Sequence, residues 1–158
     1  MKKMTVFLSG LVVGIIALGL AIYLLAPGMM LSERKSAHDL DETVKLITKA
    51  AKAEGWTVSG VRKLDESVRK HGGPDLRAVR LVDLCHAQHA GKILVEDDAR
   101  VVSVLMPCTI SVYEKSDGSV WVGHMNPGLM GRVFGGVIAE VMSGPVAESQ
   151  ARFVDSID

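Results

Sequence analysis

The chain has 158 residues, and its 18 lysines and arginines balance its 18 aspartates and glutamates, so the formal net charge is zero. A protein that binds nucleic acid through its phosphates needs a basic surface. This charge balance therefore argues against a nucleic-acid partner.

Residues 5–25 form an uninterrupted apolar run without a charged side chain. About 20 consecutive apolar residues can cross the hydrocarbon core of a bilayer as a helix. The run is longer than the apolar region of a secretory signal peptide, and a poor cleavage site follows it. The sequence thus predicts a transmembrane anchor over residues 1–30, with residues 5–25 as the part that meets the membrane.

The charges that flank the apolar run bear on its orientation. Lys2 and Lys3 favour a cytoplasmic N-terminus, because positive charge is enriched on the cytoplasmic side of membrane helices. Arg34, Lys35 and Lys45 oppose this orientation. We expect a single-pass protein of the inner (cytoplasmic) membrane of a prokaryote, with its soluble domain on the periplasmic or extracellular side.

The remainder of the chain predicts one small domain, residues 41–158, after a juxtamembrane linker over residues 31–40. Helical and alternating apolar spacing, broken at glycine and proline, defines its elements. The predicted helices are 41–54, 86–96, 134–142 and 146–157, with a short helix and a turn before residue 74. The predicted strands are 56–61, 76–84, 108–113 and 119–125, the last two joined by a hairpin at 116–118. This order predicts an α+β fold, a small mixed β-sheet with helices packed on it.

Soft ligands collect where a predicted strand meets a predicted helix. Cys85, His86 and His89 can share a helix face at this spacing, and a helix N-terminus favours a thiolate. Thiolate, imidazole and thioether groups suit copper, zinc or haem iron. We therefore predict Cys85, His86 and His89 as cofactor ligands.

The predicted hairpin adds further soft ligands. Cys108, His124 and Met125 complete the set of candidate metal ligands. Two cysteines also allow a disulfide or two unrelated buried thiols, because free cysteines often behave as small apolar residues.

Glycine is dense after the hairpin, at Gly128, Gly131, Gly135 and Gly136. Residues without a side chain can let a backbone or a planar cofactor approach closely. The same pattern also fits a tight loop with close helix packing, or an apolar surface for self-association. The sequence leaves these three readings open.

Several segments together carry a family resemblance. They are residues 105–114 (LMPCTISVYE), Asp117-Gly118, Asn126-Pro127, the earlier residues 55–58 (GWTV), and Cys85 at a helix start. Their order and spacing resemble the domain-of-unknown-function 302 family, small α/β domains of prokaryotes, over most of residues 41–155. The chain has Cys85-His86-Ala87 where that family commonly has a start like Cys-Asn-Pro. The resemblance implies a fold and little about activity.

Three functions are compatible with these residues. The first is a membrane-anchored binding domain that holds a transition metal or haem through Cys and His ligands. The second is a thiol-based redox or sulfur-transfer protein that uses Cys85. The third is a self-associating interaction module, which would be a homo-oligomer. We find no pattern that assigns a catalytic residue, and an enzyme is the less favoured expectation.

Overall fold

The computed structural model describes residues 2–158, and at positions 2–6, 8, 9 and 27 it describes the backbone alone. The chain divides into two units, Met1–Met30 and Leu31–Asp158. Helix α1 (Lys2–Met30) forms the first unit and contains the apolar run. The side chains of Lys2 and Lys3, on which the predicted orientation rests, lie outside the described part.

The predicted membrane anchor is not supported. Counted over the residues that the structure describes, no helix combines the length and apolar character needed to cross a bilayer. A span requires about 20 consecutive apolar residues. This finding overturns the predicted transmembrane helix over residues 1–30, and with it the single-pass topology and the inner-membrane localisation.

The second unit contains five strands and six α-helices within the described residues. In chain order they are β1 (Leu31–Lys35), α2 (Leu40–Ala53), β2 (Thr57–Lys63), α3 (Leu64–Lys70), β3 (Val79–Cys85), α4 (Ala87–Leu94), β4 (Cys108–Glu114), β5 (Val120–Met125), α5 (Pro127–Phe134), α6 (Gly136–Val141) and α7 (Ala147–Asp155). A 3₁₀ helix (Asp97–Leu105) precedes β4, and a kinked segment (Met142–Val146) joins α6 to α7. The predicted α+β class is confirmed.

The five strands form one sheet in the order β1-β5-β4-β3-β2. All neighbouring strands are antiparallel, so the prediction of a mixed sheet is wrong. The connection from β3 to β4 shows the reason. It runs out through α4 and back through the 3₁₀ helix, and β4 starts opposite the end of β3, with Leu84 paired to Cys108. A connection that returns to the same end of the sheet makes the next strand antiparallel.

Strand β1 lies in the segment predicted as a linker. It pairs with β5, from Leu31 opposite Met125 to Lys35 opposite Trp121. Its five residues, LSERK, do not alternate between apolar and polar side chains, so the sequence did not predict a strand here. An edge strand pairs with one neighbouring strand and needs few buried side chains.

The core lies between one face of the sheet and the helices. Alternate residues of the central strands are almost fully buried, as period-two geometry requires: Val82, Leu84, Ile110, Val112 and Val122. The helices contribute a matching set: Ile47, Ala51, Ile93, Val141 and Phe153. These residues form one apolar cluster.

The helix ends follow the local sequence. Asp39 caps α2 by accepting a hydrogen bond from the Glu42 backbone N–H. The predicted break between the last two helices is confirmed, since Gly144 has non-helical backbone angles next to Pro145.

A candidate thiol site at the end of strand β3

The two cysteines lie at the same end of the sheet. Cys85 is the last residue of β3, and Cys108 is the first residue of β4. The ladder pairs Cys108 with Leu84, the residue before Cys85. Both thiols are free and half-buried. The antiparallel connection therefore brings together two cysteines that are distant in sequence.

The two thiols differ in their surroundings. Burial and, to a smaller extent, the neighbouring Cys85 raise the pKa of the Cys108 thiol to about 11. Cys108 is therefore a neutral thiol near neutral pH. Cys85 directly precedes His86, the N-cap residue of α4, and so lies at the junction of β3 and α4.

Aromatic rings pack around the start of α4. The rings of His86 and His89 are stacked with centroids 3.9 Å apart. Trp56 presents an edge-type contact to each of them, at 5.5 Å from His86 and 5.9 Å from His89. The ring of Phe153 from α7 also contacts Trp56, with centroids 5.6 Å apart. This packing fixes the imidazole rings beside the thiols.

The imidazole of His89 is held neutral. Burial lowers its pKa, and the nearby charges of His86 and Lys92 lower it further. His89 is therefore a neutral imidazole near neutral pH, and its lowered pKa makes it a weaker base than an ordinary histidine.

A small cavity joins these groups, and we call it the thiol cavity. Its volume is about 30 Å³. Its functional side chains are Trp56, Cys85, His86, His89 and Cys108, and the remaining walls are apolar residues that include Ile93, Met106 and Met142. This volume is far below the roughly 300–1,000 Å³ of pockets that hold drug-sized molecules. A haem does not fit in it.

Two polar atoms around the thiol cavity are buried without a hydrogen-bond partner, the indole Nε1 of Trp56 and the imidazole Nδ1 of His86. Trp56 is only 5% exposed. Buried polar groups are almost always hydrogen-bonded, so these two atoms are exceptions, as is Thr48 Oγ1 elsewhere in the described part of the chain.

The structure brings together four of the six predicted site residues. Cys85, His86, His89 and Cys108 line the thiol cavity, whereas His124 and Met125 do not. Instead, the amide of Gln150 donates to His124 Nδ1 at 2.7 Å and to the Met125 carbonyl at 2.8 Å.

The expectation of metal binding is contradicted. In the described part of the chain, no three His, Cys, Asp or Glu side chains are grouped so that they could hold a metal ion. The spacing of Cys85, His86 and His89 allows a shared helix face, and the two imidazole rings stack on each other. The copper and zinc expectation is therefore not supported.

Trp56 is the site residue that sequence reasoning missed. Its position at the start of a strand indicated only an apolar core residue. Two features of Trp56 could have indicated its role. Tryptophan is rare in this chain, which has two, and a buried indole N–H needs a hydrogen-bond partner.

Comparison with known proteins identifies the domain. Residues 32–157 match the family described as Domain of unknown function DUF302. A similar solved structure is the crystal structure of an uncharacterized conserved protein DUF302 from Bacillus stearothermophilus, with a TM-score of 0.73 and 20% sequence identity. The similarity covers 83% of this chain and 100% of that chain, and at this identity it shows the fold alone. No curated protein matches the sequence. Because the family match spans most of the chain, this protein belongs to the DUF302 family.

Proposed function

We propose that the domain is a thiol-based redox protein in which Cys85 and Cys108 alternate between a dithiol and a disulfide. The observation that carries this proposal is that two free thiols on adjacent strands line one small cavity. The small volume of that cavity disfavours the haem alternative, and the absence of a grouped ligand set among the described residues disfavours the metal alternative.

The backbones of the two cysteines lie close together. Opposite residues in an antiparallel ladder have Cα atoms about 5 Å apart, and Cys85 is one residue beyond the partner of Cys108, so the two Cα atoms are about 6 Å apart. Because neighbouring residues of a strand point to opposite faces, the disulfide requires the backbone of Cys85, at the end of β3, to turn its side chain toward Cys108. The effect of Cys85 on the pKa of Cys108 also indicates that the thiols are close.

The reaction assigns different roles to the two thiols. The Cys85 thiolate attacks a disulfide R–S–S–R, forms a mixed disulfide with one sulfur and releases the other as a thiolate RS⁻. Cys108 then gives up its proton to solvent, and its thiolate attacks the Cys85 sulfur. This second step forms the Cys85–Cys108 disulfide and releases another thiolate. The two thiols are oxidised by two electrons, and R–S–S–R is reduced.

The proposal is tested by oxidising the full chain with diamide or oxidised glutathione and measuring its intact mass after thiol alkylation. We expect a species that has lost two hydrogens, resists alkylation and is restored by dithiothreitol. Two free thiols after treatment, or only disulfides between chains, would contradict the proposal.

Two matched variants test the assigned order. Cys108→Ser should accumulate a mixed disulfide between Cys85 and glutathione, because the resolving thiol is missing. Cys85→Ser should react much more slowly, because the thiol that remains is neutral near neutral pH. Equal reactivity of the two variants would reverse or abolish the roles.

A further inference from the structure

A second concave surface lies on the face of the sheet that points away from the core, and we call it the sheet groove. Its volume is about 670 Å³, within the roughly 300–1,000 Å³ of pockets that bind small molecules. Residues of β1, β4 and β5, and of the chain just before β4, line it. Its β4 residues are Thr109, Ser111 and Tyr113, which alternate with the buried core residues Ile110 and Val112. Successive side chains of a strand point to opposite faces, so the groove lies on the outer face.

Two small residues form the floor of the sheet groove. Ser111 and Gly123 are directly opposite each other in the ladder of β4 and β5, so their side-chain positions share one face. Neither residue projects far from the sheet. The ring of Tyr113 lies against Gly123, since a Cβ added there would be 3.3 Å from Tyr113 Cε1. The floor is therefore open above Ser111 and Gly123, with an aromatic wall beside it.

A carboxylate lies at one end of the sheet groove. Glu33 in β1 is the other ladder partner of Gly123. It accepts hydrogen bonds from Lys115 Nζ at 2.8 Å and from the Tyr113 hydroxyl. The Lys115 bond, and then the Tyr113 bond, hold the pKa of Glu33 below its ordinary value, so the group is ionised. Its side chain is 48% exposed, and a carboxylate has about four acceptor positions, so Glu33 can accept a further hydrogen bond.

The charge of Glu33 is already balanced. Lys115 pairs with it and lies 3.4 Å from the ring centroid of Trp121, which holds the ammonium group in place. Burial, together with Glu33, raises the pKa of Tyr113 to about 12, so this side chain stays protonated and neutral. The polar end therefore has no net charge, and it favours an uncharged hydrogen-bond donor over an ion.

The other end of the sheet groove is apolar. Leu31 and Met125 pair in the same ladder as Glu33, two residues further along and on the same face. Leu31 is 65% exposed and Val104 is 83% exposed, and both line the groove. Exposed apolar side chains that are gathered in one concave surface are typical of ligand-binding sites.

We propose that the sheet groove binds a small, uncharged aromatic molecule that carries a hydroxyl group. The aromatic body packs between the ring of Tyr113 and the apolar end, and the hydroxyl donates a hydrogen bond to Glu33. Ser111 lies beneath the bound molecule. This site contains neither cysteine, so the inference does not depend on the proposed redox function.

The first experiment compares three naphthalenes that differ in one substituent. 2-Naphthol donates a hydrogen bond, 2-methoxynaphthalene only accepts one, and 2-naphthoate is an anion. Each is titrated into the ¹⁵N-labelled full chain, and backbone amide shifts are followed by NMR. We expect saturable shifts at Ser111 and Gly123, with a dissociation constant of about 1 mM or lower for 2-naphthol. The other two compounds should bind roughly fivefold more weakly, because they lack the donor. Equal affinities, or shifts confined to residues outside the groove, would overturn the proposal.

Two leucine variants test the position of the site. Ser111→Leu fills the floor and should weaken the binding of 2-naphthol roughly tenfold or more. Thr57→Leu is the matched control, because Thr57 is an exposed residue of β2 that does not line the groove, and its affinity should stay within about twofold. Equal loss of affinity in both variants would contradict the assignment to the groove.

The role of Glu33 is tested by a ratio of affinities within one variant. In Glu33→Met the acceptor is missing, so 2-naphthol and 2-methoxynaphthalene should bind within about twofold of each other. A preference for 2-naphthol that survives this substitution would show that Glu33 does not recognise the hydroxyl. The comparison of three compounds on the unmodified chain decides the proposal where a variant does not fold.

The proposed redox function and the sheet groove can fail separately. Cys85→Ser should bind 2-naphthol with the affinity of the unmodified chain. Loss of binding in this variant would place the compound in the thiol cavity and overturn the groove as its site. A chain that binds 2-naphthol but forms no internal disulfide overturns the redox proposal alone.

Discussion

At the scale of single residues, two cysteines of the same type acquire different chemistry from their neighbours. Cys108 begins a central strand and is enclosed by the core, whereas Cys85 ends a strand at a helix N-terminus. Desolvation disfavours the thiolate of Cys108. The proposed division into an attacking and a resolving thiol rests on this property of Cys108.

The pKa of Cys108 gives a measurable pH dependence. Burial and Cys85 together raise that pKa to about 11, so alkylation of Cys108 should accelerate only as the pH approaches this value. In Cys85→Ser the contribution of Cys85 is gone, so the midpoint should move lower. It should stay above the ordinary 9, because burial is the larger cause and remains. Rates of iodoacetamide labelling against pH measure both midpoints, and an unshifted midpoint in Cys85→Ser would show that the thiols do not interact.

Asp83 provides a second prediction at this scale, away from the thiols. It is 7% exposed, accepts bonds of 2.5 and 2.8 Å from Arg62, and accepts another of 2.8 Å from Thr109. Asp83→Asn should lower the free energy of unfolding by about 1–3 kcal/mol, because it removes the charge that Arg62 pairs with. Urea unfolding at neutral pH measures this loss, with Thr109→Val as the milder control.

The pH dependence of Asp83 has a definite sign. The Arg62 hydrogen bonds, then Thr109 and the Arg62 charge, hold the pKa of Asp83 below its ordinary value. The unfolded chain therefore takes up its proton first as the pH falls. The stabilisation is present above about pH 4 and is lost at lower pH. The difference in the free energy of unfolding between wild type and Asp83→Asn should therefore become smaller at acid pH. A difference that does not change with pH would contradict the lowered pKa of Asp83.

At the scale of elements, local signals predicted most helices and strands but not their full extent. The hairpin of β4 and β5 followed from Asp117-Gly118 between alternating strands, and Gly144-Pro145 correctly marked a break. The sequence does not predict helix α5, because Asn126-Pro127 directly follows the predicted strand 119–125 and fits a strand end equally well. Asn126 caps this helix, and Pro127 occupies its first turn, where its missing N–H does no harm.

The closely spaced glycines that follow the hairpin have different structural roles. A Cβ at Gly131 would lie 2.7 Å from Ser143 Oγ and 2.9 Å from Met142 Cβ, so this residue lets α5 approach the kinked segment. Gly135 and Gly136 have positive φ values of 72° and 53° and form the corner between α5 and α6. The structure thus favours the reading of close helix packing.

Gly131 and Gly91 form a matched pair for substitution by alanine. Gly131→Ala should lower the free energy of unfolding by about 1–3 kcal/mol, because the added methyl overlaps its neighbours. Gly91 lies inside α4 with nothing within 4 Å of an added Cβ. Gly91→Ala should raise stability by up to about 1 kcal/mol, because alanine is the better helix former. Thermal or urea unfolding of both variants measures the difference, and effects of the same sign would contradict the packing argument.

At the scale of the whole molecule, the sequence did not predict the features that depend on contacts between distant segments. The sheet order could not be read, since β1 and β5 are far apart in the chain and pair only at an edge. The candidate site was only half predicted. Cys85 and its histidines were visible as a local cluster, but the approach of Cys108 and Trp56 depends on strand pairing and helix packing.

The C-terminal helix α7 contributes one large side chain both to the core and to the surroundings of the candidate site. The α7 residue Phe153 is 1% exposed, packs against Trp56 and belongs to the main apolar cluster. Removing a buried phenylalanine side chain typically lowers stability by about 3–5 kcal/mol, a large share of the roughly 5–15 kcal/mol of a small domain.

Phe153→Ala should therefore destabilise the domain by about 3–5 kcal/mol in urea unfolding. Phe134→Ala is the control, because that side chain is 45% exposed and its loss should change stability by less than about 1 kcal/mol. A loss in Phe153→Ala no larger than that in Phe134→Ala would show that α7 contributes little to the stability of the core.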